Sequence, residues 1–106
     1  MQKVRLIGCY GIFEDMVLEV EKEITIGRNA GVCQLVYPET ARGISGTHCK
    51  IENTDSVVFL TDLHSTNGTF LADGTKLAPD RPLPLLDGQG FYLGSRENAF
   101  DVMIGE

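Results

Sequence analysis

Asp62-Leu63-His64-Ser65-Thr66-Asn67-Gly68-Thr69 is the stretch on which the fold of this chain turns. The apolar run Val57-Val58-Phe59-Leu60 leads into it, and Phe70-Leu71 leads out. Asn-Gly between two apolar runs is a strong short-range turn signal, because both residues tolerate positive φ. The plainest expectation is a β-hairpin corner at Asn67-Gly68. A corner needs only those two residues, yet Ser65, Thr66 and Thr69 add further hydrogen-bonding groups. Polar groups crowded on a loop held between two strands suit the recognition of a polar ligand.

Outward from this loop, helical periodicity is nearly absent. Short β-rich runs broken by Gly, Pro, Asn and Asp recur about every ten residues, the pattern of a sandwich or barrel. Strands are expected at Val4–Ile7, Met16–Val20, Ile24–Ile26, Cys33–Val36, His48–Glu52 and Val57–Thr61, the last two paired through Asn53-Thr54-Asp55. Phe70-Leu71 and Thr75–Leu77 flank a hairpin turn at Ala72-Asp73-Gly74. Pro79, Pro82 and Pro84 mark an irregular stretch, after which Gly90–Leu93 and Phe100–Ile104 close the chain. The expectation is all-β, with about ten or eleven short strands and no helix.

A chain of 106 residues has the length of one domain. Residues 1–106 are read as a single domain, with excision from a longer protein left open. Hydrophobic content of 42% and charged content of 23% are ordinary for a globular protein. The net charge of −6 argues against a general nucleic-acid or anionic-membrane surface, while leaving room for a small basic site. Cys9, Cys33 and Cys49 are odd in number and contain no CxxC pair. They are expected in or near strands as free thiols, which fits a reducing, cytoplasmic compartment. No apolar run approaches the roughly 20 residues of a membrane helix.

Three loops carry unusual polar chemistry. Arg28 follows Ile24-Thr25-Ile26-Gly27, at the end of a strand where its guanidinium fork can meet a phosphate or carboxylate. Ser45-Gly46-Thr47-His48 places a serine three residues before a histidine that enters a strand. That histidine can be a general base, a metal ligand or a structural residue bonded to backbone. A hydrolase is disfavoured because no Gly-x-Ser-x-Gly elbow surrounds Ser45. A zinc site is disfavoured because adjacent His48 and Cys49 point to opposite faces of a strand. Neither a metal nor any other cofactor is expected. Gly88-Gln89-Gly90 with Gly94 has the wrong spacing for a dinucleotide fingerprint, and Asp87-Gly88 reads as a turn.

Gly27-Arg28, Ser45-x-x-His48 and Ser65-Thr66-Asn67-Gly68-Thr69, in this order, resemble the forkhead-associated (FHA) domain. Asp62-Leu63 and Leu86-Asp87-Gly88-x-x-Phe91-x-Leu93-Gly94 extend the likeness over roughly Val4 to Ile104. Cys33-Gln34-Leu35-Val36-Tyr37-Pro38 with Gly43-Ile44-Ser45 is similar to bacterial members. The resemblance implies a β-sandwich of two sheets with binding loops at one end. It implies a phosphopeptide-binding module, not an enzyme, that recognises phosphothreonine left on partner proteins by a Ser/Thr kinase. The charge and the lack of a long apolar run set the expectation of no nucleic-acid or membrane contact by this domain, and a monomer is expected. Arg28, Ser45 and Thr66 would then contact phosphate. Asn67 would clamp the peptide backbone, with Arg42, Gly46, His64 and Ser65 beside it. Gly27, His48 and Gly68 would support the site. Gly46-Thr47 departs from the family pattern, since many relatives place an arginine, lysine or asparagine there. Arg42 or protonated His64 would have to compensate. The alternative is a degenerate FHA-like domain that binds a protein partner without phosphate.

Overall fold

A computed structural model describes residues 2–106. Ten strands form: β1 (Lys3–Tyr10), β2 (Val17–Glu19), β3 (Glu23–Gly27), β4 (Leu35–Val36) and β5 (Cys49–Asn53), then β6 (Val58–Asp62), β7 (Thr69–Leu71), β8 (Leu83–Leu85), β9 (Gly90–Leu93) and β10 (Ala99–Gly105). They make two five-stranded sheets, in the orders β2-β1-β10-β9-β7 and β4-β3-β5-β6-β8. The first sheet is wholly antiparallel. The second has one parallel pair, β3 with β4. Among the described residues there is no helix.

The period-two pattern decides which side chains face inward. Val4 and Leu6 on β1, Phe91 and Leu93 on β9, and Phe100 and Val102 on β10 are all buried. They meet Ile24, Ile26, Ile51, Val58 and Leu60 of the second sheet. Phe91 stacks on Phe100 with centroids 5.5 Å apart, and Phe13 from the β1–β2 loop packs edge-on to Tyr37 at 4.8 Å. Strand ladders run only within a sheet, so apolar burial is what joins the layers. Each such side chain contributes roughly 1.5–3 kcal/mol.

Two expectations change. The Asp62–Thr69 stretch is not a hairpin corner. β6 and β7 lie in different sheets, and the loop carries the chain from one layer to the other. Only Gly68 of the Asn-Gly pair has positive φ, at 88°, and His64 supplies the other left-handed turn residue at 57°. The proline-rich stretch also contains a strand. β8 pairs with β6, placing Pro84 opposite Phe59. It lies on the sheet edge, where a missing N–H leaves no neighbouring strand unpaired.

Cys9 lies in β1 and Cys49 in β5, Cys33 just precedes β4, and all three are free thiols. Burial pushes the Cys49 thiol up, helped by the neighbouring Asp62 carboxylate. Burial also raises Cys33 and, together with Asp101, Cys9. Since the thiolate is the reactive form, alkylation should follow access. Iodoacetamide at neutral pH should label the half-buried Cys9 first, Cys33 slowly, and Cys49 only as fast as the protein unfolds. Peptide-level mass spectrometry over a urea series reads this order, and early labelling of Cys49 would contradict the packing.

Candidate functional site

The C-terminal ends of β3, β6 and β9 and the N-terminal ends of β5 and β7 lie at one end of the sandwich, so the loops joining them converge there. The Ser45-Gly46 segment docks against the end of β3. Arg28 N–H donates to Ser45 O at 3.1 Å, and Asn29 N–H donates to Gly46 O at 2.9 Å. The approach is close enough that a Cβ on Gly27 would sit 2.2 Å from Gly46 O. Glycine at position 27 is therefore a requirement of space. Beneath the loop, the Cys33 thiol donates to Gly46 O at 3.3 Å.

His48 has no solvent exposure and uses every polar group it carries. Its backbone N–H donates to Ile26 O at 2.8 Å, and its carbonyl accepts from Leu63 N–H at 2.9 Å. On the ring, Nδ1 accepts the Ser45 N–H at 3.1 Å. Nε2 lies 2.8 Å from Gly68 O, so the proton belongs on Nε2. Burial holds the imidazole below its usual pKa, partly countered by the Gly68 carbonyl and Asp62. Gly68 O also accepts Gly94 N–H at 2.9 Å, which ties in the β9–β10 loop.

The 63–68 loop is shaped by Asp62, whose side chain is buried among donors. Its carboxylate accepts the Ser65 N–H at 3.2 Å, the Ser65 hydroxyl at 2.5 Å and the Thr69 hydroxyl at 2.7 Å. Ser65 Oγ in turn accepts Gly68 N–H at 3.0 Å. Ser65, expected beside the peptide, therefore has its hydroxyl engaged inside the loop. His64, expected to help with phosphate, is paired with Asp80. Sequence reasoning missed this support role of Asp62. An Asp three residues before a Ser, ahead of Asn-Gly, is the available signal, because such side chains bond nearby backbone in turns.

What remains faces outward. Ser45 Oγ accepts Thr66 N–H at 2.9 Å, which joins two loops and leaves the Ser45 hydroxyl proton free to donate. Thr66 and Asn67 are exposed, and their side chains make no hydrogen bond among the described residues. Arg28 is half-buried rather than loose. Nε donates to Ile44 O at 2.5 Å and one Nη to Glu39 O at 3.1 Å. A guanidinium has five N–H donors, so three stay available. An open hollow of about 590 Å³ lies beside it, lined by Arg28, Asn29, Glu39 and Gly46 among others. Arg42 is exposed on the loop before Ser45. Among the described residues no cluster of three or more His, Cys, Asp or Glu side chains could hold a metal. The arrangement offers hydroxyl, amide and guanidinium donors to an anion.

Comparison with known proteins gives one consistent result. The family model described as FHA domain matches residues 24–94. A solution structure of an FHA domain from Arabidopsis thaliana superposes with a TM-score of 0.78 at 26% identity, covering 99% of this chain and 86% of that one. An FHA domain from a study of phosphothreonine-dependent FHA interactions gives 0.76 at 28%, covering 98% of both. The MEK1 FHA domain in complex with a HOP1 phosphothreonine peptide gives 0.76 at 25%, covering 97% of both. A search of curated proteins finds no match.

The burial of neutral His48 makes stability depend on pH. Its folded pKa is depressed relative to the unfolded value of about 6.5, so the unfolded chain binds more protons in that range. The stabilisation is complete above about pH 6.5 and declines as pH falls towards the folded value. Thermal melts from pH 7.5 to 5 should show a fall in wild type that His48→Asn reduces. His48→Ala should itself cost roughly 1–3 kcal/mol, since it orphans the Ser45 N–H. An imidazole NMR titration gives a check independent of variant folding: a midpoint at or above 6.5 would contradict this bonding.

Proposed function

This chain belongs to the FHA-domain family, and from that premise we propose that it is a phosphopeptide-binding module that recognises phosphothreonine and has no chemistry of its own. The observation that carries the reading is the convergence of Arg28, Ser45 and Thr66 on linked backbone. Ser45 O accepts from Arg28 N–H, and Ser45 Oγ accepts from Thr66 N–H. A phosphate brings about −1.5 to −2 charge and three acceptor oxygens. Arg28 supplies the fork-shaped cation, and Ser45 and Thr66 supply short hydroxyl donors. Asn67 has an unengaged carboxamide beside them, suited to bonding a peptide backbone. Kinase-marked partner proteins are the ligands this chemistry selects. Three free thiols suit a reducing, cytoplasmic setting.

A second reading, partner binding without phosphate, rests on one specific feature. Gly46 and Thr47 put no long cationic arm over the site, and His64 is turned to Asp80. The two readings separate in a calorimetric titration with matched peptides bearing phosphothreonine, phosphoserine or threonine. Phosphothreonine should bind best and threonine not measurably.

Arg28→Ala should lower phosphothreonine affinity about ten- to a hundredfold, because charge-assisted hydrogen bonds contribute roughly 1.5–3 kcal/mol. Arg28→Lys should recover only part, since an ammonium keeps the charge without the fork. Both variants should also melt somewhat lower, because the Ile44 and Glu39 carbonyls lose their donor. Gly46 has room for a side chain: a Cβ there would meet nothing nearer than Asn29 Cβ at 4.0 Å. Gly46→Lys should therefore tighten phosphopeptide binding. Wild-type affinity should fall with added salt and below about pH 6, where the phosphate takes up its second proton. Unchanged binding by folded Arg28→Ala would remove phosphate from the account and leave the second reading.

A further inference from the structure

The hollow beside Arg28 lies next to the phosphate contacts. Arg28 and Gly46 border it, and the Asn29–Gly31 turn and Glu39 form the rest of its wall. The turn is fixed from within, since Asn29 Oδ1 accepts Gly31 N–H at 3.0 Å and leaves the Asn29 amide protons unused. Glu39 is held in place by its backbone, whose carbonyl accepts an Arg28 Nη. Its carboxylate is exposed and makes no ion pair or hydrogen bond among the described residues. A bare carboxylate beside a phosphate site opposes the phosphate unless the ligand brings a positive charge to the same place.

Resting on the phosphopeptide reading, we propose that this hollow receives a residue flanking the phosphothreonine and that Glu39 makes the site select a basic side chain there. The hollow is open and polar-walled, so it suits a long cationic side chain whose stem lies on Ala30 and Gly31 and whose head reaches Glu39. The preferred ligand then carries its positive charge on the flank that leaves the phosphate past Arg28. Asn67, in the 63–68 loop across the phosphate contacts, bonds the peptide backbone and leaves that choice to Glu39. The domain's net charge of −6 favours cations everywhere on a peptide, but exposed charges more than about 8 Å apart are largely screened at physiological salt. A position-specific preference must therefore come from a nearby group.

The test is fluorescence anisotropy at physiological salt with one phosphothreonine peptide and its unphosphorylated counterpart. Lys, Ala or Glu is walked through three positions on each side. Wild type should prefer Lys over Glu at one position of one flank by about two- to fivefold more than elsewhere, the scale of an exposed ion pair. Glu39→Gln should abolish that excess and Glu39→Lys should reverse it. Glu21→Gln, which makes the same change in net charge at the other end of the sandwich, should keep it. Phosphate-dependent binding with the same position profile in wild type and both Glu39 variants overturns the assignment of Glu39 alone. Absence of phosphate-dependent binding to every peptide overturns the underlying reading and this inference with it.

Discussion

The imidazole of His48 is the contact on which the loop end of this molecule depends. It precedes β5 in one sheet and bonds the carbonyl of Gly68, which precedes β7 in the other. Apolar burial presses the sheets together, but it is non-directional and does not fix where one loop lies relative to another. The His48–Gly68 bond is directional, and so is a further polar link between the layers at this end, from Thr69 Oγ1 to Asp62. Both are fully buried, where an orphaned partner would cost roughly 1–3 kcal/mol. The loops are therefore held in one arrangement before any ligand arrives, and the ordering entropy is not charged to binding.

The chemistry of the link also explains the residue. Ser45 presents an N–H and Gly68 a carbonyl on opposite sides of one buried space. A bridging group must accept on one side and donate on the other, rigidly and at the width of a ring. Neutral imidazole does this, whereas imidazolium would aim two donors and lose the Ser45 bond. The same ring reads as a general base when seen only in sequence. Here both nitrogens are occupied by backbone and the side chain is buried, so it has no face to offer a substrate.

Periodicity made the β architecture legible, because alternation such as Phe100, Val102 and Ile104 is a local property. The 63–68 loop was misread as a hairpin corner because Asn-Gly reports that the chain turns, while its destination is set by which sheet each flanking strand joins. β8 was missed for the opposite reason. Proline counts against a strand everywhere except on an edge, and edge status is a tertiary fact. Ser65 and His64 were grouped with the ligand contacts through the family resemblance and their place in the polar loop. The Asp62–Ser65 spacing was a local signal that went unread, whereas nothing local says that His64 meets a carboxylate sixteen residues later. Conversely, the Gly27 requirement is invisible in sequence, since the atom it must avoid, Gly46 O, lies in a separate loop.

The state of Arg28 bears on how an acidic domain could hold an anion site without being strained when empty. A guanidinium with no partner, half-removed from water, would be costly. Two N–H groups of Arg28 are satisfied by the Ile44 and Glu39 carbonyls, and the remaining three can stay hydrated. Those carbonyls also aim the fork, so a phosphate would meet a group already oriented rather than a mobile chain. An unmodified threonine gains little from this. Its hydroxyl can add one neutral hydrogen bond, worth roughly 0.5–1.5 kcal/mol, and must displace water from the three free donors to do so. On the proposed reading, a dianion would offset that displacement with charge-assisted bonds to Arg28, Ser45 and Thr66 together. Discrimination then follows from the pre-engaged arginine: the more of its capacity the backbone takes, the less a neutral ligand can gain from the rest.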